Sequence, residues 1–229
     1  MMVLIVSGGA IDERFAAGFC AGRHFDRVIA VDGGLEMADR MGLRSLTDIV
    51  GDFDTVRPDI LEKYMHTDVH IHRFNPEKDY TDTDIALKLA MRFWEAAPDL
   101  EADCCLQKED GIWILGATGS RLDHVLANIT MLKLPFSRGI PAWIIDGHNK
   151  LCLLQGTMVI KKEQRFGKYV SLIPLTPEIS GVTLTGVKYP LNNHTVSQGE
   201  SLCVSNEITG ECAVLTVQEG IAVVLETKD

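Results

Sequence analysis

The sequence predicts an α/β protein whose first half is an open, mostly parallel sheet with helices on both faces and whose second half is an all-β sandwich. Short, continuous apolar runs separated by helical stretches fill the first half, as in strands that are buried on both faces. Each run ends in a cluster of glycine or aspartate. Helical periodicity is lost after residue 148. We therefore predict an α/β domain over residues 1–148 and a β-sandwich domain over residues 149–229.

Five runs in the first half have the form of buried strands: Val3–Val6, Val28–Val31, Asp48–Val50, Ile112–Leu115 and Trp143–Ile145. Helices are predicted between them, around Arg14–Ala21, Leu35–Met41, Pro58–Tyr64, Asp82–Ala97 and from about Ser120. The clearest is Asp82–Ala97, which Thr81 is placed to cap and Pro98 to stop.

The second half predicts short strands separated by Gly, Pro or Asn turns. They are Thr157–Lys161, Tyr169–Leu175, Val182–Val187, Ser201–Ser205, Cys212–Gln218 and Ile221–Glu226. This succession is typical of a small antiparallel sandwich.

Composition excludes several classes of protein. A formal net charge of −10 argues against nucleic acid as a partner. No apolar stretch approaches the roughly 20 residues of a membrane span, and the short N-terminal run fits a first strand better than a signal peptide. The 6 cysteines have neither CxxC nor zinc spacing, which favours free thiols in a reducing cytoplasm.

The clusters that end the strands predict a magnesium–nucleotide site. In open α/β sheets, ligands bind outside the carboxyl ends of the strands. Glycines there let a backbone approach phosphate, and aspartates bind hard cations. The clusters are Ser7-Gly8-Gly9, Asp32-Gly33-Gly34, Gly51-Asp52-Phe53-Asp54 and Gly116-Ala117-Thr118-Gly119. As an alternative, the glycine pairs only form tight turns.

Two acidic clusters are candidates for a metal. Asp52 and Asp54 can both turn toward one cation, although an Asx-turn with Asp54 capping the next helix would also explain them. The second cluster surrounds the start of the predicted Asp82 helix and contains Glu77, Asp79, Asp82 and Asp84. A helix dipole explains Asp82 and Asp84 without any function, but four acidic residues exceed what capping needs.

The segment Gly116–His124 runs from a strand end into a helix start, which offers free N–H groups to phosphate. Arg121 would add a planar donor, or it would only pair with Asp123 on the surface. His124 by itself is more typical of a structural residue. The sequence has neither GxxxxGK[ST] nor GxGxxG, so it is neither a P-loop enzyme nor a standard dinucleotide binder.

Four ordered motifs resemble the thiamine pyrophosphokinase (thiamine diphosphokinase) family. They are Ala30-Val31-Asp32-Gly33-Gly34, Gly51-Asp52-Phe53-Asp54, Lys78-Asp79-Tyr80-Thr81-Asp82 and Gly119-Ser120-Arg121-Leu122-Asp123-His124. The second half is similar through Ser171–Leu175, Gly186–Leu191 and Val204–Glu207. The resemblance covers nearly the whole chain.

The resemblance implies transfer of a diphosphoryl group from ATP to the hydroxyl of thiamine, which gives thiamine diphosphate and AMP. It implies a homodimer whose sites lie between the N-terminal domain of one subunit and the C-terminal domain of the other. Asp52, Asp54 and Asp82 would hold Mg²⁺, and Asp32 and Asp79 would lie close to the phosphates. Lys78, Arg121 and Asp123 would help to bind the nucleotide, and Ser205 and Asn206 would contact thiamine.

Two departures from the family pattern stand out. Ser120 replaces the second glycine of a turn that often reads Gly-Gly-Arg. Animal members stack the thiazolium on a C-terminal tryptophan, whereas Trp94, Trp113 and Trp143 all lie in the first half here. Tyr189 or a carboxylate is then the candidate partner of the cation. The rival functions are a metal-dependent glycosyltransferase that uses Asp52 and Asp54, and a non-enzymatic thiamine- or nucleotide-binding regulator.

Overall fold

The computed structural model describes residues 1–43, 46–74, 79–96 and 109–229. These residues form two compact units, Met1–Gly147 and His148–Asp229. Glu77 and Lys78, the predicted helix end at Ala97 and Pro98, and Cys104 and Cys105 lie outside the described residues.

The first unit is built on a parallel sheet. Its strands are β1 (Met2–Val6), β2 (Arg27–Val31), β3 (Leu46–Gly51), β4 (His70–Arg73), β5 (Gly111–Leu115) and β6 (Ala142–Ile145). Their spatial order is β6–β5–β1–β2–β3–β4, and each neighbouring pair is parallel. The predicted α/β class is confirmed, but the sequence analysis missed β4, whose residues His-Ile-His-Arg contain a single apolar side chain.

Helices cover this sheet. They are α1 (Glu13–Cys20), α2 (Gly34–Arg40), α3 (Pro58–Met65), α4 (Asp82–Ala96), α5 (Leu122–Met131) and α6 (Lys133–Phe136). Every residue of β1 and β5 is buried, and since successive strand side chains point to opposite faces, both faces must be covered. α2 packs on β1 and β2, and α4 packs on β1, β2 and β3. Within the described ranges, no helix has the length and apolar content of a membrane span.

The strand order places a crevice at the carboxyl ends of β1 and β5. β1 pairs with β2 on one side and with β5 on the other, so the direction in which the sheet grows reverses at β1. Connections leave the two strands on diverging paths at such a point, which leaves room for a ligand. The segments after β1 and β5 are the glycine clusters at Ser7 and Gly116.

The second unit consists of antiparallel strands, as the sequence predicted for this half. They are β7 (Asn149–Lys161), β8 (Tyr169–Pro174), β9 (Glu178–Thr185), β10 (Leu191–Ser197), β11 (Asn206–Glu207) and β12 (Cys212–Thr227). β12 pairs with β7 along its length. On its other side its first part pairs with β9 and its last part with β8, on either side of an irregularity between Val217 and Ala222.

Two predictions of detail in this half were wrong, and strand β10 was missed. The two strands predicted from Cys212 to Glu226 are one strand, because the turn-like residues between them form a bulge and do not reverse the chain. The predicted strand Ser201–Ser205 is a turn, in which the Val204 N–H donates to Ser201 O at 3.2 Å and Ser205 takes a φ of 59°. β10 was missed because its residues are mostly polar and exposed.

Candidate active site

A cavity of about 500 Å³ opens at the crevice of the first unit. The residues that line it follow the carboxyl ends of β1, β2, β3 and β5 or belong to the N-terminal parts of α4 and α5. The predicted site residues that line it are Ser7, Gly8, Gly9, Asp32, Gly33, Asp52, Asp54, Asp82, Gly116, Thr118, Gly119 and Arg121. Gly34, Asp79 and Asp123 are not part of this lining, and Lys78 lies outside the described residues.

Two glycine-rich loops form one wall of the cavity. The Gly9 N–H donates to Gly116 O at 2.9 Å, and the Ala10 N–H donates to Thr118 O at 2.9 Å. A Cβ on Gly9 would lie 2.3 Å from Gly116 O, so this approach requires a glycine. Gly8 and Gly33 have no such close neighbour in the described part of the chain, where a Cβ at Gly33 would meet nothing within 4 Å. The backbone at these two positions is bare toward the cavity, which is what a phosphate-binding loop needs.

Gly34 has a packing role in the structure. It is buried at the start of α2, where a Cβ would lie 2.1 Å from Val6 O. Only a glycine lets α2 begin this close to the end of β1. A glycine pair in the sequence therefore combines two different requirements, an open backbone at Gly33 and a close helix–strand contact at Gly34.

Asp32 is held at the centre of the carboxylate wall. Its Oδ1 accepts the Phe53 N–H at 3.4 Å, and a Cβ on Gly51 would lie 1.8 Å from that oxygen. Burial and then the charge of Asp82, to which it is hydrogen-bonded, raise the pKa of Asp32 to about 7. In the absence of a cation, Asp32 is therefore partly protonated near neutral pH.

The Asp52–Asp54 segment forms the turn that the structural alternative anticipated, because the Asp54 N–H donates to Asp52 Oδ1 at 3.2 Å. The capping half of that alternative is wrong, since α3 begins at Pro58 with Arg57 as its N-cap residue. Both carboxylates line the cavity. The buried Phe53 between them adopts a φ of 66°, which turns the chain sharply enough for both to face the same side.

The two acidic residues in the first turn of α4, Asp82 and Asp84, have different surroundings. Thr81 Oγ1 accepts the Asp84 N–H at 3.2 Å, which fits the predicted cap. Asp84 is 8% exposed and pairs with Lys88 at 2.9 Å, so its carboxylate serves the helix. Asp82 lines the cavity instead.

Arg121 and Asp123 form the ion pair that the structural alternative predicted. Their closest atoms, Nη2 and Oδ2, are 2.6 Å apart, and both side chains are exposed. Hydrogen bonding to Arg121 lowers the pKa of Asp123. Arg121 nevertheless lines the cavity, as does His124, so the guanidinium stands at its rim.

The sequence analysis missed two polar residues that line this site, Asn128 and Thr83. Asn128 is buried and donates from Nδ2 to Ala117 O at 2.7 Å, which fixes the turn after β5 to α5. Thr83 Oγ1 lies 2.6 Å from Ser7 Oγ, and Thr118 Oγ1 donates to Asp146 Oδ2 at 2.8 Å. An asparagine seven positions after Arg121 on an otherwise apolar helix was the available signal for the first of these.

The carboxylates fit a hard divalent cation by chemistry, since Asp32, Asp52, Asp54 and Asp82 offer oxygen ligands on one wall. Burial and then the charge of Asp82 raise the pKa of Asp32, as is typical of a carboxylate that is crowded by other acids without a counter-ion. Across the described part of the chain, no three carboxylate, histidine or cysteine side chains already converge as a metal-binding group. Binding of a cation would bring these carboxylates closer together and would favour the deprotonated form of Asp32.

Ser205 and Asn206 lie in the second unit. Asn206 is 4% exposed, and its amide holds the neighbouring loop, accepting the Tyr189 N–H at 3.0 Å and donating to Tyr189 O at 2.8 Å. The Ser205 N–H donates to Ser171 Oγ at 2.9 Å. Tyr189 is 59% exposed beside them. The Asn206 side chain therefore positions the loop that contains Tyr189.

Comparison with known families decides between the rival functions. Residues 22–144 match the family model described as thiamin pyrophosphokinase, catalytic domain, and residues 157–222 match the thiamin pyrophosphokinase, vitamin B1 binding domain. The chain belongs to the thiamin pyrophosphokinase family. The predicted resemblance is therefore confirmed, and the chain is a diphosphotransferase enzyme of that family, not a glycosyltransferase or a binding regulator.

Individual thiamin pyrophosphokinases are similar along most of the chain. The thiamine pyrophosphokinase of Bacillus subtilis (strain 168) is 33% identical over 180 residues, which are 78% of this chain and 77% of that protein. A crystal structure of thiamine pyrophosphokinase from Bacillus subtilis superposes with a TM-score of 0.83 at 29% identity, covering 100% of both chains. One from Geobacillus thermodenitrificans gives 0.80 at 31% identity, covering 100% of this chain and 98% of that one.

Proposed function

We propose that this enzyme transfers a diphosphoryl group from ATP to the hydroxyl of thiamine, releasing AMP and thiamine diphosphate. The observation that carries the proposal is the cavity at the β1–β5 crevice, where two interlocked glycine loops face a wall of four carboxylates. Phosphoryl transfer depends on positioning and charge neutralisation, and the substrate's hydroxyl is the nucleophile. No nucleophilic side chain is then required from the protein.

Each of the two domains would bind a different substrate. Residues 1–148 would bind ATP and Mg²⁺, because the cavity and its carboxylates belong to the first unit. Residues 149–229 would bind thiamine, in keeping with the vitamin B1 binding domain model that matches residues 157–222.

Asp52, Asp54 and Asp82 would hold Mg²⁺, with Asp32 and Asp79 close to the phosphates. When bound, Mg²⁺ would supply positive charge to the phosphate oxygens of ATP. The backbone at Gly8, Gly33 and Gly119 would bind phosphate oxygens, together with Arg121 once it exchanges Asp123 for an anionic ligand. Lys78 is proposed as a further nucleotide contact on the basis of the motif alone.

Thiamine would be bound by Ser205 and by the Tyr189 loop that Asn206 holds. Ser205 is exposed and has a positive φ, and the exposed Tyr189 ring offers a π face to a cation. Tyr189 would thereby replace the tryptophan of the animal members.

A homodimer with shared sites is the assembly that we propose. Leu122 and Leu126, on the helix that follows Arg121, are 72% and 64% exposed. Leu202 and Val204, directly before Ser205, are 52% and 45% exposed. Exposed apolar side chains therefore lie beside both the proposed nucleotide residues and the proposed thiamine residues. A subunit interface at the shared site would bury them.

The cytoplasm is the proposed location of the enzyme. Cys20, Cys152, Cys203 and Cys212 are free thiols among the described residues, as expected in a reducing compartment. Burial raises the pKa of Cys152 to about 12, so that thiol stays protonated.

Incubation with ATP, Mg²⁺ and thiamine, followed by product identification, tests the reaction. Attack at the β-phosphorus breaks its bond to the α,β-bridging oxygen, so AMP should accumulate in step with thiamine diphosphate. Stoichiometric ADP with thiamine monophosphate would overturn the proposal.

A further inference from the structure

Arg73, the last residue of β4, lies beside the carboxylate wall without being part of it. We propose that its guanidinium binds the terminal phosphate of the ATP triphosphate, the phosphate that becomes the outer one of the transferred group. The inference deepens the proposed function and rests on it.

The sheet places Arg73 at the same edge as the metal-binding candidates. In the parallel register of β3 and β4, Gly51 is the partner of Arg73, and the Phe74 N–H donates to Gly51 O at 3.0 Å. Gly51 directly precedes Asp52 and packs under the Asp32 carboxylate. Arg73 therefore ends its strand at the level of the carboxylates.

The Arg73 guanidinium is held in place by Phe53. Its Cζ lies 5.4 Å from the centroid of the Phe53 ring, within the range of a cation–π contact. Phe53 is 7% exposed and lies between Asp52 and Asp54 in the chain. A guanidinium stacked on a fixed ring keeps its N–H donors free at the edge of the plane, where a phosphate can accept them.

Arg73 has no carboxylate partner among the described residues, in contrast to other cations at this end of the sheet. Three of those are already in ion pairs: Arg57 with Asp59, Lys88 with Asp84 and Arg121 with Asp123. Arg73 is itself exposed and contacts the Phe53 ring, not an anion, among the described residues. With respect to the described residues, it can bind an anionic ligand without first breaking a salt bridge.

The charge of the cavity calls for such a cation. Its lining contains Asp32, Asp52, Asp54 and Asp82 but a single guanidinium, Arg121. A triphosphate adds further negative charge, and one divalent ion offsets only two charges. Charge-assisted hydrogen bonds from arginine to phosphate are the usual means of balancing the remainder.

The order of groups along the sheet edge assigns Arg73 to the terminal phosphate. The α5 end of the cavity is lined by Arg121 and His124 beside neutral groups such as Asn128, whereas the carboxylates line the β2–β3 end. Arg73 follows on β4, beyond the carboxylates. Since neighbouring strands lie about 4.8 Å apart, β1 and β4 are separated by about 14 Å, a span that suits an extended nucleoside triphosphate.

Binding of nucleotides to Arg73→Met, without thiamine present, tests the inference. Dissociation constants for ATP and AMP are measured by calorimetry, each with and without Mg²⁺. ATP should bind about 10- to 100-fold more weakly than to the wild type, the scale of losing a charge-assisted hydrogen bond. AMP, which lacks the terminal phosphate, should change by less than about twofold. Arg57→Met makes the same chemical change at an exposed arginine that is paired with Asp59 and should leave both constants unchanged.

A weakening of ATP by less than tenfold overturns the inference, and so does an equal weakening of AMP, which would mean that Arg73 acts only through the packing of Phe53. If Arg73→Met unfolds at a lower temperature, Arg73→Gln keeps a planar group over the ring and supplies the same comparison. Failure of the proposed function is distinguishable, because it would appear in the wild type as ATP and thiamine giving no AMP.

Discussion

The Asp32–Asp82 pair predicts that Mg²⁺ binding releases a proton and weakens as the pH falls. Without metal, burial and then the charge of Asp82 raise the pKa of Asp32 to about 7. A cation needs these carboxylates deprotonated, so its affinity follows the deprotonated fraction. For a pKa of about 7 that fraction is about one-eleventh at pH 6 and about ten-elevenths at pH 8, so the Mg²⁺ dissociation constant should be about tenfold larger at pH 6.

Calorimetric titration of the nucleotide-free enzyme with Mg²⁺, in two buffers of different ionisation enthalpy, measures the affinity and the protons released. Asp32→Asn removes the carboxyl whose pKa is raised and should make the affinity nearly independent of pH between 6 and 8. The other charged groups of the cavity are Asp52, Asp54 and Arg121, along with the titratable His124. His124→Gln is therefore the matched control and should keep the wild-type pH dependence.

The same pair sets the sign of a stability change. The folded pKa of Asp32 lies above the unfolded value of about 3.9, so its contribution to stability is fully present below about pH 4 and is lost as the pH rises through about 7. Mg²⁺ should therefore raise the melting temperature more at pH 8 than at pH 6. Equal dissociation constants at the two pH values in the wild type, or an unchanged pH dependence in Asp32→Asn, would refute the reasoning.

Three further outcomes are expected. Gly34→Ala should lower the free energy of unfolding by at least about 3 kcal/mol, because its Cβ would lie 2.1 Å from a β1 carbonyl oxygen, whereas Gly18→Ala in α1 meets nothing within 4 Å and should be neutral or stabilising. Equal melting temperatures would remove the packing reason for Gly34. Asp52→Asn and Asp54→Asn should each lower kcat by about 100-fold with folding retained. Near-normal turnover of both variants at saturating Mg²⁺ would mean that the Asp52–Asp54 segment only forms a turn and does not bind the metal. Mixing inactive Asp52→Asn and Asn206→Ala chains should restore about a quarter of the activity per site, since about half of the dimers carry one intact site. Heterodimers without activity would show that each chain builds its own site.

The parallel sheet and the line of candidate ligands at its edge were predictable because both depend on local sequence. β1, β2 and β5 are unbroken apolar runs that end in glycine or aspartate, and their pattern indicates burial on both faces. Parallel strands bring their carboxyl ends to one edge, so Asp32 and Asp52 could be expected near each other. Strands β4 and β10 were not predicted, because they contain few apolar side chains. Both are stabilised by backbone hydrogen bonds to a neighbouring strand, which the sequence pattern does not reveal.

By itself, the sequence determined the fold class of both halves and, through ordered motifs, the family of the enzyme. Only the tertiary structure decided what individual residues of a motif do. Gly33 borders the cavity while Gly34 packs against β1, and Asp82 faces the cavity while Asp84 pairs with Lys88. The reason is physical: a motif specifies residue types along the chain, but burial, ion pairing and pKa depend on neighbours that are distant in sequence and become neighbours only on folding.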